Sequence, residues 1–172
     1  MNETINNLID RRSVRAYTEK AIPEEAMELI LKAGTYAPSG MGRQPVVFVA
    51  VEKKEVRDRL SRMNAAIMGT DSDPFYGAPV VIVVLAARSV PTCLYDGSLA
   101  MGNLMTAAHS LGIDSCWIHR AKEEFDSPEG KALLEEWGIH GDYEGIGHCI
   151  LGYRSCEYPE AKPRKEGTVI RI

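Results

Sequence analysis

Pro79-Val80-Val81-Ile82-Val83-Val84-Leu85-Ala86-Ala87 decides the fold. A strand with one face on a core alternates apolar with polar residues. This run has no polar residue at all, so both faces are buried and helices must cover the strand from each side. Upstream, Gly69 to Gly77 is polar and reads as a loop. Lys53 to Met68 reads as a helix carrying Val56, Leu60, Met63 and Ile67 on one side, and Val46 to Val51 as a short β-branched strand. Pro23 suits the first position of a helix, with Glu24 and Glu25 in the favourable first turn. Ala26, Leu29, Ile30 and Ala33 would form its buried face and Gly34 its stop. Downstream, Asp96 to Leu111 is a long helix, apolar around most of its circumference, as expected of an interior or interface element. Ile113 to Ile118 reads as a strand. Ser127 caps a helix that opens at Pro128 and stops at Gly138. Ile146 to Leu151 is a fourth strand, and Thr168 to Ile172 offers a last short one. Helices and strands are mixed over one core without linker or repeat. Residues 153–167 have too little apolar content to fold alone, so this arm is either disordered or lies on something, a partner subunit being one candidate.

The chain has 172 residues, 45% of them apolar, enough for one domain over 1–172. A net charge of −4 disfavours nonspecific binding to nucleic acid or to an anionic membrane surface. Cys93, Cys116, Cys149 and Cys156 form no C-x-x-C pair, and His109, His119, His140 and His148 make no ligand spacing with them, so no metal site is expected. Cys116 and Cys149 sit in apolar runs, as small buried hydrophobes do. No signal peptide and no run of membrane-spanning length is visible, which points to a reduced, cytoplasmic, soluble protein. There is no G-x-S-x-G nucleophile motif. Gly145-Ile146-Gly147 precedes a strand instead of following one, the wrong context for a dinucleotide fingerprint.

Charge is distributed against the acidic trend in two places. Arg11-Arg12-Ser13-Val14-Arg15 follows a short helical pattern (Ile5, Leu8, Ile9), and Lys162-Pro163-Arg164-Lys165 lies near the other end. A guanidinium offers donors in a rigid fork that suits phosphate and carboxylate oxygens. Either cluster alone is more often a solvated charge run.

Arg11 to Arg15 and the loop Ala37-Pro38-Ser39-Gly40-Met41-Gly42-Arg43-Gln44-Pro45 resemble the two N-terminal motifs of the FMN-dependent nitroreductase family. The similarity continues through Ala78 to Val83, Ala107 to Ile118, Ile150 to Tyr153 and Lys162 to Lys165, in order over nearly the whole chain. It implies an α+β fold, a mixed, mainly antiparallel central sheet flanked by helices, with the C-terminal arm (153–172) reaching the partner of a homodimer. FMN would bind at the subunit interface. Arg11, Arg12, Ser13 and Arg15 would meet its phosphate, ribityl chain and pyrimidine edge. Lys162 and Arg164 would join at the phosphate. Pro38, Ser39 and Gly40 would come from the second subunit. Asn64 is a further candidate for the pyrimidine edge, and His119 to Glu124 would lie beside the isoalloxazine. Many members have asparagine and tryptophan where this chain has Gly42 and Val46, and the chain is shorter than larger members, which suggests a more open pocket. The implied activity is transfer of hydride from NADH or NADPH through FMN to a nitroaromatic, quinone or similar acceptor, in a ping-pong sequence without a protein acid or base. The alternatives are an FMN-binding module without turnover and a specialised relative.

Overall fold

The computed structural model describes residues 1–172. In chain order the elements are α1 (Glu3–Asp10), α2 (Glu24–Thr35), β1 (Val46–Val51), α3 (Lys54–Met68), β2 (Val80–Ala87), α4 (Cys93–Ser110), β3 (Asp114–Ile118), α5 (Ala121–Asp126), α6 (Pro128–Glu136) and β4 (Tyr143–Gly152). The four strands form one antiparallel sheet in the order β1-β2-β4-β3, and helices flank it, as expected. No helix is long and apolar enough to cross a membrane.

The unbroken apolar character of β2 has the consequence anticipated for it. Val81, Val83 and Leu85 point into a core built with Leu60 and Met63 of α3, Phe125 of α5 and Leu133 of α6. Val80, Ile82, Val84 and Ala86 point the other way, onto Met27 and Ile30 of α2 and Met101 and Leu104 of α4. Ser127 caps α6, its hydroxyl accepting from the Gly130 N–H at 3.0 Å, and Pro128 opens the helix.

Several expectations need correcting. α2 buries Met27, Ile30 and Gly34, whereas Leu29 stands exposed. Gly34 lies inside the helix and does not stop it. A Cβ there would come within 2.7 Å of Leu104 and 3.0 Å of Phe48, so glycine sets how closely α2 approaches α4 and β1. Pro23 is the residue before the helix and not its first. Ile67 is exposed on α3. β4 begins at Tyr143, three residues before Ile146, because Tyr143 and Glu144 pair with Ala87 and Ala86 of β2. The six-residue α5 has too short a pattern to announce itself. Thr168–Ile172 forms no strand: residues 160–172 are exposed along their whole length, with no neighbouring backbone to complete a ladder.

The segment after α1 extends the sheet beyond β3. It leaves the helix and lies on the outer edge of that strand, where Ser13 pairs with Ser115 and the Val14 N–H donates to the Ser115 carbonyl at 3.1 Å. It then bonds to the end of β4, through Thr18 to Tyr153 and Ser155 to Ala16. Val14 is wholly buried as a result.

Candidate functional site

Pairing with β3 holds residues 11–15 extended, so alternate side chains share a side. Arg11, Ser13 and Arg15 all bear on Cys116, the inward-facing thiol of β3. Burial pushes that thiol up, while Arg15, the Ser13 hydroxyl and Arg11 pull it the other way. All three thus act on one side chain, and the bridge from Ser13 to Ser115 lays their segment along β3. Arg12 has a different role. Its Nη1 donates to the carbonyls of Ile9 (2.6 Å) and Arg11 (2.9 Å), closing the end of α1.

None of Arg11, Arg12 and Arg15 has a carboxylate within 4.0 Å. The arginines that do are Arg57, Arg59, Arg88 and Arg154. Nη1 of Arg11 is enclosed without any hydrogen-bond partner. An enclosed donor without an acceptor costs about 1–3 kcal/mol, more when charged, and an oxygen brought in from outside would recover it. In an acidic chain, these guanidiniums give one strand edge a local excess of positive charge.

The root of the C-terminal arm is fastened beside this cluster. Tyr158 Oη donates to the Asp10 carbonyl and accepts from the Arg12 N–H, both at 2.8 Å. Its ring stacks on His109 at 6.0 Å, and the Arg154 guanidinium lies 5.0 Å above it. Arg154 in turn holds the buried Asp114. Burial depresses the pKa of His109 below the usual histidine value. Beyond Tyr158 the arm leaves the body. Arg164 donates only to the Lys162 carbonyl, and both residues are exposed.

The loop with Pro38, Ser39 and Gly40 is equally well fixed, but elsewhere. The Ser39 hydroxyl accepts from the Gln44 N–H at 3.0 Å. The Gly40 N–H donates to Asp96 at 2.9 Å, and Thr92 donates to the same carboxylate at 2.8 Å. A Cβ at position 40 would sit 2.4 Å from the Thr92 hydroxyl, which only glycine avoids. With Val46, Phe48, Asp96 and Ala100 the loop lines a pocket of about 130 Å³. It borders β1, whereas the arginines lie outside β3. These are opposite edges of the sheet, separated by three strand spacings, about 14 Å. One chain does not bring the two motifs together.

Asn64 is fully buried in the layer between α3, α5 and the sheet. Its amide nitrogen donates to the His119 carbonyl at 2.8 Å and to Glu124, and its oxygen accepts from Arg120 Nε at 2.9 Å. Its groups are therefore occupied inside the chain. Glu124 also meets His148 Nε2 at 3.0 Å, and both side chains are completely enclosed. Sequence reasoning does not find this pair. The available signal is a histidine inside the apolar run Ile146 to Leu151, where a polar group must find a buried partner.

The Nitroreductase family model matches residues 8–70 and 65–153. A curated protein of Archaeoglobus fulgidus, whose name pairs NADH dehydrogenase with NAD(P)H nitroreductase, is 32% identical over 156 residues, spanning 89% of this chain and 86% of that protein. The crystal structure of a Bacteroides fragilis nitroreductase with bound FMN superposes with a TM-score of 0.92 at 32% identity, covering 100% of both chains. A Desulfitobacterium hafniense nitroreductase with bound FMN gives 0.89 at 25% identity, again over 100% of both.

Proposed function

The chain belongs to the nitroreductase family, and from that premise we propose that it is an FMN-dependent NAD(P)H oxidoreductase, residues 1–172 acting as one FMN-binding domain. One observation carries this: the Arg11, Ser13 and Arg15 group around Cys116, without a carboxylate and with an enclosed Arg11 donor awaiting an acceptor. The residues fit the cofactor. A phosphate of roughly −1.5 to −2 charges is what such a group lacks. Arg11 would hold the phosphate, the Ser13 hydroxyl the ribityl chain and Arg15 the pyrimidine edge, while Arg12 keeps α1 in place behind them. When bound, FMN supplies hydride transfer from NADH or NADPH to an electron-poor acceptor such as a nitroaromatic or quinone. The chain's own part is binding, orientation and a fixed positive field, and no side chain is needed as acid or base.

The other half of the site would come from a second copy. Pro38, Ser39 and Gly40 border the opposite edge of the sheet from Arg11, Lys162 and Arg164 lie exposed on the arm, and the surface supports an obligate homodimer. Ile5, Leu8 and Ile9 of α1 are exposed, and α1 buries no residue. Leu29 of α2 and Leu94, Tyr95 and Leu99 of α4 are also exposed. Exposed apolar residues on three helices, together with an exposed arm, suit an extensive interface. The four cysteines are all free, which supports a cytoplasmic setting.

Anaerobic titration of the purified protein provides the test. It should be yellow, dimeric by light scattering, and bleach on addition of NADH or NADPH, with parallel double-reciprocal plots against a quinone. Yellow protein that no nicotinamide bleaches would mark a binding module without turnover. Colourless protein that FMN does not stabilise would overturn the proposal.

A further inference from the structure

The turn His119–Arg120, which follows β3, is held by a buried network that flavin binding through Arg11 and Arg15 does not itself require. Arg120 has a backbone φ of +78°, uncommon for a residue with a side chain. One amide grips both residues of the turn. Asn64 donates to the His119 carbonyl and to Glu124, and accepts from Arg120 Nε at 2.9 Å. A carboxylate only accepts and a guanidinium only donates, so this amide has a single workable orientation. His148 bonds to the same Glu124 oxygen from β4. Glu124 and His148 therefore set Asn64, and Asn64 sets Arg120. Arg120 itself is half-buried, and its guanidinium is held through Nε alone, with no carboxylate paired to it.

The turn also lies within reach of the proposed cofactor. It starts three residues past Cys116, about 10 Å along the strand. Cys116 and Ile118 pack in the same core as Leu60 and Met63 of α3 and Phe125 of α5, and Tyr17, which shares a side of the extended segment with Arg11, Ser13 and Arg15, packs against that core too, so the network and the Arg11–Arg15 group occupy the same side of the sheet.

We propose that Asn64, backed by Glu124 and His148, is a positioning residue that holds the Arg120 guanidinium beside the ring end of the flavin, where it favours the reduced cofactor. This rests on the FMN reading and deepens it. It replaces direct contact between Asn64 and the flavin with action through the turn. A cation at that place strengthens binding of reduced over oxidised flavin.

The test is an anaerobic redox titration of the FMN-loaded protein, together with the dissociation constant of oxidised FMN. Arg120→Gln should change oxidised-FMN affinity little and reduce the preference for reduced FMN about tenfold, on the scale of a hydrogen bond to a charged group, seen as a more negative midpoint potential. Arg120→Lys keeps the charge but cannot occupy the Asn64 oxygen in the same geometry, so it should behave like Arg120→Gln. Asn64→Ala should shift the potential the same way, and the double variant Asn64→Ala/Arg120→Gln no further than Arg120→Gln alone. An unchanged potential in Arg120→Gln, a wild-type potential in Arg120→Lys, or independent effects in the double variant would each overturn the proposal. The two Arg120 variants decide it even where Asn64→Ala does not fold. Wild-type protein that binds no FMN is a different failure, because it removes the cofactor reading first.

Discussion

Arg57 and Arg11 carry the same side chain in opposite states of satisfaction. Arg57 is 8% exposed and fully engaged: Nε donates to the Ala78 carbonyl at 3.0 Å, Nη1 to Asp58 at 3.0 Å and Nη2 to Asp73. Asp73 also accepts from the Ser61 hydroxyl and from the backbone N–H groups of Phe75 and Gly77. The cluster fastens the loop after α3 and seats Phe75 against His148 at 5.2 Å. Arg11 has no carboxylate, and one of its donors is enclosed with nothing to bond. A cation whose anion is supplied by the chain builds the fold. A cation left without one is, on the function proposed above, kept for an anion from outside. The first should show itself in stability and the second in ligand binding.

Arg57→Ala is the largest test of that contrast. It leaves Asp73 facing a loop without its cation and should cost about 3 kcal/mol in urea denaturation, the low end for a broken buried pair because Asp73 is partly exposed. FMN affinity of the molecules that remain folded should not change. Arg11→Ala should do the reverse. Stability without cofactor should not fall and should rise by up to about 1–3 kcal/mol, because the enclosed unpaired donor leaves with the side chain, while FMN affinity falls by about 2 kcal/mol, near thirtyfold. Destabilisation of the cofactor-free protein by Arg11→Ala on the scale of Arg57→Ala would erase the distinction. Arg15→Ala should weaken FMN by about tenfold, less than Arg11 because Arg15 is exposed and better screened.

The two clusters are not equally legible in the sequence. Arg11 to Arg15 is visible as a local charge excess, and β2 as a doubly buried strand, because both signals lie within a few consecutive residues. Arg57 looks like any helix cation, since its partner Asp73 is 16 positions away in a polar loop. Asn64 falls on the expected helix, but its partner Glu124 lies 60 residues on, and only the fold brings them together. On α2 the sequence offers two apolar stripes. The chain buries Met27, Ile30 and Gly34 and leaves Leu29 outside, a choice made by packing against Leu104 and Phe48 that periodicity cannot see. Thr168 to Ile172 has strand composition without a strand to pair with, and composition does not supply a neighbour.

Acid titration sharpens the contrast from the stability side. Burial raises the Asp73 pKa, but hydrogen bonds from Ser61, Arg57, Gly77 and Phe75 outweigh it, and the carboxyl is held below the usual value of 3.8. A carboxyl depressed in the folded state contributes stability that is present above its unfolded pKa and lost as pH falls through the folded one. The loss should therefore lie below about pH 4. Asp73→Asn should be less stable at neutral pH and show a shallower decline across that acid range in pH-dependent denaturation. An identical slope in the two proteins would mean that Asp73 is not the anion on which Arg57 depends.

The smallest effect belongs to the arm, and it asks whether Arg11 is answered by ligand alone or also by cations from a second copy. Lys162 is exposed and its side chain bonds to nothing in its own chain. Lys162→Ala should accordingly leave the stability of cofactor-free protein unchanged. If the partner's arm closes over the FMN phosphate, the same substitution should weaken FMN about threefold, the size of an exposed ion pair. The loss should grow at low ionic strength and shrink as salt is added. Lys162 lies exposed on the arm, so such a loss would mean that the arm comes to the phosphate when FMN is bound. Equal FMN affinity in Lys162→Ala and wild type at low salt would detach the arm from the site and leave the arginines on β3 to hold the anion without it.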